Sequence, residues 1–167
     1  MVFTSLKVHS VHLGTIAYST EDVHLVIKAL CNLLPPSLRS EAQSKVKKQR
    51  ITGHFGNKIY RITYTVKKKN TMTVCHYILR EKINKMAQSF ISRSMEKLYD
   101  SKNQEFFIRV SKGRLVSDEI TIASGSESPI RVVIKFQQYG GSRSERTKRA
   151  WKFILSEMSS GEGSPET

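Results

Sequence analysis

Residues Lys45–Lys69 read KVKKQRITGHFGNKIYRITYTVKKK, with nine lysines and arginines and no acid. Runs rich in β-branched and aromatic residues flank a GHFGN turn, whose glycines and Asn57 accept the positive φ that a tight reversal demands. The pattern predicts two strands, Lys45–Thr52 and Lys58–Lys68, joined as a hairpin. The second strand alternates. Tyr60, Ile62, Tyr64 and Val66 share one face, and Arg61, Thr63, Thr65 and Lys67 share the other, one for a core and one for solvent or a ligand.

The register of this hairpin lies between two solutions. A loop of His54 and Phe55 alone sets Lys48 opposite Arg61, a like-charge contact unfavourable by a few tenths to about 1 kcal/mol. A three-residue loop sets Gln49 opposite Arg61 instead. It then carries Lys48 and Arg50 onto the face of Tyr60, Ile62 and Tyr64, where their charged heads must snorkel outward. In both registers Lys47 and Lys48 point opposite ways, so the charges form a rod or rim rather than one flat patch.

Upstream, LKVHSVHLGTIAY (Leu6–Tyr18) reads as a strand. Ser19 or Thr20 then caps a helix with Glu21 and Asp22 in its first turn. Val23, Val26, Ile27, Leu30, Leu33 and Leu34 form its core stripe, Pro35 and Pro36 stop it, and a polar loop follows. Downstream of the hairpin, Asn70 or Thr71 caps a long helical region to Asp100, carrying Val74, Ile78, Ile83, Met86, Ala87, Phe90, Met95 and Leu98. Its spacing slips at Arg80–Lys82, which predicts a kink.

EFFIRV (Glu105–Val110) and IRVVIKF (Ile130–Phe136) read as the last strands, with an irregular stretch and a short helical turn between them. SRSERTKRAWKFILSEM forms a final helix with Ala150, Trp151, Ile154, Leu155 and Met158 inward. The order β-α-β-β-α-β-β-α predicts an α+β two-layer sandwich: a mixed, mostly antiparallel sheet with helices on one face. A chain of 167 residues fits one domain, here 1–158, followed by a polar tail, 159–167.

The chain carries 28 basic and 14 acidic residues, a formal charge of +14, which exceeds what solubility needs and invites an anionic partner. Between Ala42 and Arg80 no Asp or Glu occurs, against ten positive charges. Cys31 and Cys75 have neither zinc-site nor disulfide-framework spacing. The opening MVFTSLKVHS lacks the pattern of an export signal, and no 18 apolar residues run together. The expectation is a cytoplasmic protein with no membrane contact.

Metal and enzyme signals are equally lacking. His9 and His12 are an odd number apart on a strand, and Cys75 and His76 sit about 100° apart on a helix, so neither pair shares a ligand well. HExxH, GxSxG, Walker and GxGxxG patterns do not occur. GHFG matches the GxxG loop of KH domains, but that loop joins helices and strands flank it here. The reading is no enzyme, no metal and no cofactor. Edge protection explains one or two strand lysines, whereas a whole acid-free third points to a polyanion, because repeated phosphate contacts release counterions.

At GHFGNKI the chain resembles archaeal RNA-binding proteins described as predicted exosome subunits, whose fold is similar to that of ribosomal protein L5. The resemblance runs from Val8 to Leu155. It rests on STEDVHLVIKALCNLLP after the first strand, on Gly53, His54, Gly56 and Asn57, and on FFIRVSKGRL, in which Arg109 and Lys112 match a strand-end basic pair. It departs at Lys58, where proline often follows the turn asparagine, and at Ser111, where an acid often stands.

The resemblance implies a non-catalytic RNA-binding protein that accompanies exosome-type or ribosome-associated proteins. Together with the charge pattern it nominates Lys45, Lys47, Lys48, Arg50, Lys58, Arg61, Lys67, Lys68, Lys69, Arg109 and Lys112 for RNA phosphates. His54 and Asn57 are available for sugar or base contacts. Phe55 at the tip either packs the turn or stacks on an unpaired base. The competing readings are a protein-interaction subunit with edge-protecting lysines and, behind it, a nucleotide-handling enzyme.

Overall fold

Period-two burial along the strands builds one wall of the core in the computed structural model, which describes residues 6–116, 120–123 and 128–160. Six strands form one antiparallel sheet in the order β2-β3-β1-β6-β5-β4. They are β1 (Lys7–Ala17), β2 (Lys47–Thr52), β3 (Lys58–Lys67), β4 (Tyr99–Asp100), β5 (Glu105–Ser111) and β6 (Pro129–Gln137). In β6 the residues Ile130, Val132, Ile134 and Phe136 are buried, while Arg131 and Lys135 between them are exposed. The expected α+β class holds.

The helices are α1 (Val23–Cys31), α2 (Pro36–Lys45), α3 (Thr71–His76), α4 (Lys85–Arg93), α5 (Met95–Leu98), α6 (Lys112–Val116) and α7 (Arg143–Ser160). The chain divides into two compact units, the first from Met1–Val11, Val66–Phe107 and Val133–Thr167, the second from His12–Thr65 and Ile108–Val132.

In the second unit Leu13, Leu30, Leu33, Ile62 and Leu115 are fully buried. Asp22, not Ser19 or Thr20, caps α1, its carboxylate accepting from the His24 backbone N–H at 2.9 Å. Glu21 is thereby left outside the first turn. Asn32 at the other end donates its side-chain amide to the Leu115 carbonyl at 2.8 Å, tying α1 to α6. The polar loop expected after Pro36 is the helix α2. Pro36 occupies its first turn, where a missing N–H costs nothing, and Ala42 is its one buried side chain. Lys45 ends this helix instead of opening a strand.

In the first unit the expected kink is a π-helical turn, Tyr77–Lys82, with the Ile83 N–H donating to Ile78 five residues back. Asn84 then restarts the chain as the cap of α4, accepting from Ala87 N–H at 2.8 Å. Ala150, Ile154 and Met158 of α7 face inward as expected, but Leu155 is 39% exposed and Met86 of α4 is 82% exposed. Glu157 is buried beside Met158 on the last turns of α7. Its carboxylate accepts from Arg80 at Nε and Nη2 and shares a 2.6 Å bond with His76 Nδ1.

Burial alone pushes the Glu157 carboxyl up, but the hydrogen bonds from Arg80 and His76 outweigh it and hold the group below its ordinary range. Cys75 is buried beside it, and desolvation pushes its thiol up to about 12. Cys31 in the second unit rises to about 11 for the same reason. Both are free, buried and unreactive at neutral pH. Residues 161–167 of the expected polar tail lie outside the described residues; Ser159 and Ser160 extend α7.

Candidate nucleic-acid interface

The hairpin takes the second of its two registers, pairing Gln49 with Arg61, Lys48 with Ile62, and Arg50 with Tyr60. The loop explains how. Gly53 N–H donates to the Asn57 carbonyl at 2.8 Å and Gly56 N–H to the Gly53 carbonyl at 3.0 Å, while Gly56 sits at φ +79. This is a three-residue loop of a turn closed by a left-handed glycine bulge. A Cβ on Gly53 would stand 2.3 Å from Oδ1 of the exposed Asn57, whose side chain would have to swing aside to admit it.

Opposed residues in an antiparallel pair share a face. Lys48 and Arg50 therefore lie on the Tyr60 and Ile62 side, and the Lys48 ammonium lies 5.1 Å from the centroid of the Tyr60 ring. With that cation–π contact Lys48 keeps its charge at the exposed surface on the Tyr60 side of the hairpin. Lys47, Gln49 and Arg61 lie on the opposite side. Phe55 at the tip is 91% exposed, and its ring meets the neighbouring His54 ring edge-on at 5.1 Å. The turn-packing alternative for Phe55 loses its footing.

The nominated residues fare differently. Lys47, Lys48, Arg50, Lys58 and Arg61 form no ion pair among the described residues. His54 and Asn57 are exposed with them on the loop. Lys67, Lys68 and Lys69 are exposed in the first unit, Lys68 with φ +64. Lys45 is exposed on α2 and is paired with Glu41 at 2.6 Å. Arg109 is exposed on β5, in the same unit as the hairpin but separated from it in the sheet by β1 and β6.

Lys112 must be corrected. It is 7% exposed, and its ammonium donates to the Ile16 carbonyl and to Glu21 at 2.8 Å each, with the Tyr18 ring 5.6 Å away. A phosphate has no access to it. Sequence reasoning did not nominate Arg131, and weighed His12 only as a metal ligand; both lie in this unit on the side of their strands facing away from the core. The alternation of IRVVIKF was the available signal for Arg131. His12 hydrogen-bonds Thr65 Oγ1 at 2.7 Å, and burial, helped by the Arg131 charge, lowers its pKa.

The sequence profile of the RNA-binding family matches residues 10–136, a span that includes the whole hairpin and Arg109. The chain belongs to this RNA-binding family. Its fold is shared with archaeal proteins of known structure. A DUF54 protein from Archaeglobus fulgidus is 22% identical with a TM-score of 0.71, over 89% of this chain and 99% of that one. DUF54 proteins from Methanothermobacter thermautotrophicus and Sulfolobus solfataricus are 19% and 18% identical, each with a TM-score of 0.62 over 89% of this chain and 98% of the other. At these identities the likeness is one of fold. No curated protein matches the chain.

Among the described residues no helix is long and apolar enough to cross a membrane, and no group of three His, Cys, Asp or Glu is placed to hold a metal ion.

Proposed function

We propose that the chain is a non-catalytic RNA-binding protein that holds RNA phosphates with the β2–β3 hairpin and Arg109, as an accessory to exosome-type RNA processing. The observation that carries this reading is the state of the charges. Among the described residues, the ten cations between Ala42 and Arg80 find carboxylates only at Lys45, through Glu41, and at Arg80, through Glu157. The hairpin cations are left without a carboxylate in the free protein, and a phosphate chain supplies the missing negative charge with release of the counterions that otherwise screen them.

Family membership supports RNA as the polyanion. The exposed Phe55 supplies what a purely electrostatic surface lacks, an aromatic face for an unpaired base. The accessory role rests on the family resemblance alone.

Retention of single-stranded RNA, double-stranded RNA and duplex DNA at two salt concentrations tests the reading. Replacing Lys47, Lys48 and Arg50 by alanine together is expected to weaken RNA binding across sequences. On a single strand, the slope of log affinity against log salt should flatten by about 0.7 for each phosphate no longer neutralised. A second reading is favoured by the place of β2 at the end of the strand order, where lysines discourage edge-to-edge pairing. On that reading the triple variant associates with itself and binds RNA with unchanged affinity and slope.

A further inference from the structure

Strand β1 carries a glycine that its own structure does not require. Gly14 lies in the second unit, half-buried on the side of the strand away from the core, while Leu13 and Thr15 on either side of it are buried. Its backbone is not left-handed; among the described glycines that conformation belongs to Gly56, Gly140 and Gly141. Space does not demand a glycine either. An added Cβ would meet His12 Nε2 at 3.4 Å and the Thr63 methyl at 3.7 Å, ordinary van der Waals separations. A glycine inside a strand costs stability, because it loses more backbone freedom on folding and offers no side chain to pack. Such a position often marks a place where a ligand or another backbone comes close to the main chain.

The hollow over Gly14 has polar walls. His12 is fixed by the 2.7 Å bond between its Nδ1 and Thr65 Oγ1, and its Nε2, the atom nearest the hollow, has no hydrogen-bond partner among the described residues. With Nδ1 accepting from the Thr65 hydroxyl, the neutral ring carries its N–H on Nε2; the imidazolium carries one there in either case. On the flanking strands Arg61 of β3 and Arg131 of β6 are exposed on the side away from the core. The strand residues of this unit include no Asp or Glu, so the charges that β1, β2, β3, β5 and β6 bring to it are all positive.

A hollow one side chain deep holds no base. It suits a small anion carried on a chain that lies against the sheet, which describes a backbone phosphate. Burial, helped by the Arg131 charge, lowers the His12 pKa, so the free imidazole is neutral at pH 7 and donates without adding to the repulsion among the cations.

We propose that the outer side of the sheet at Gly14 seats one phosphate of the RNA backbone, admitted by the bare main chain and bound by His12 Nε2–H, with Arg61 and Arg131 on the flanking strands. The inference rests on the RNA-binding reading for the identity of the polymer, and it adds a contact outside the hairpin.

Gly14→Val fills the hollow without changing any charge, so attraction at a distance by the basic surface predicts no effect from it. Affinity for a short single-stranded oligouridylate is expected to fall about tenfold in Gly14→Val, the worth of one hydrogen bond to a charged group, and by less in Gly14→Ala. The urea midpoints of both variants should lie at or above that of the unaltered protein. His12→Ala should lose affinity to the same degree as Gly14→Val. A phosphate at Nε2 favours the imidazolium, so the affinity of the unaltered protein should rise from about pH 8 to about pH 6, and His12→Ala should lose part of that rise. Lys7, His9, Arg61, Lys67, Arg131 and Lys135, the other charged or titratable groups exposed on the outer side of β1, β3 and β6, remain in that variant, as does His54 on the hairpin loop. The difference between the two profiles therefore belongs to His12.

A Gly14→Val protein that binds as tightly as the unaltered one, while the Lys47, Lys48 and Arg50 triple variant binds weakly, would overturn this inference and leave the hairpin reading standing. Identical pH profiles with and without His12 would overturn it as well. Loss of affinity in Gly14→Val with none in the triple variant would support the seat at Gly14 and count against the hairpin. An unaltered protein that retains no RNA would overturn both.

Discussion

Gln49 stands directly opposite Arg61 in the hairpin, at the position where the alternative register would have put Lys48. The register thus removes one like-charge contact from a segment that can spare none, and places Lys48 over Tyr60 instead. Stability and RNA affinity are set here by the same charges with opposite signs. Gln49→Lys is expected to destabilise the protein by a few tenths to about 1 kcal/mol, and Gln49→Glu to stabilise it slightly while weakening RNA binding. Urea midpoints alongside RNA titrations check both. If Gln49→Glu leaves affinity unchanged, the face of Arg61 is not where phosphates lie.

Phe55 is the side chain whose removal separates stacking from charge. At 91% exposure it contributes little to the folded state, so Phe55→Ala should leave the denaturation midpoint where it is. Binding to single-stranded RNA should fall by about 1–3 kcal/mol, the worth of one stacked base, with the salt slope unaltered. Binding to a fully paired duplex should not change. Fluorescence anisotropy on the two RNAs reads the contrast, and equal losses on both would show that Phe55 shapes the loop without meeting a base.

How far the sequence went depends on whether a feature is periodic. The alternation in Tyr60, Ile62, Tyr64 and Val66 and in IRVVIKF follows from the pleat, so the strands and the α+β class were legible. The helix α2 was not, because PSLRSEAQSK buries only Ala42 and has no stripe to find. Charge is legible where it is local and misleading where the fold intervenes. Lys112 resembles its exposed neighbour Arg109 until Glu21, from 91 residues away, is brought against it. Arg80 counts among the ten cations of the acid-free stretch in the sequence, yet its partner Glu157 comes from 77 residues along the chain.

That Arg80–Glu157 pair gives a pH dependence whose sign is fixed. Burial raises the Glu157 carboxyl, the bonds from Arg80 and His76 lower it further than burial raises it, and the folded group ends below its ordinary value. A carboxyl depressed by folding contributes stability that is present above its unfolded pKa, about 4.3 for glutamate, and is lost as pH falls through the folded value. The urea midpoint of the protein should therefore fall from about pH 5 downward. Glu157→Gln should start from a lower midpoint at pH 7 and decline less steeply into acid. Parallel acid limbs in the two proteins would mean that other carboxyls carry the effect.

The last contrast is between two basic residues three positions apart. Arg109 is exposed and without a carboxylate among the described residues, so Arg109→Ala should leave stability within about 0.5 kcal/mol. It should weaken RNA binding and lower the salt slope by about 0.7–0.9. Lys112→Met keeps the buried aliphatic stem but strips the Ile16 carbonyl and the Glu21 carboxylate of their donor. Its expected cost is about 2–4 kcal/mol of stability, with RNA affinity per folded molecule unchanged. Denaturation and binding measured on the same preparations tell these apart, since a shared loss of affinity at fixed stability would put Lys112 back among the phosphate-binding residues and would require its ammonium to leave Glu21.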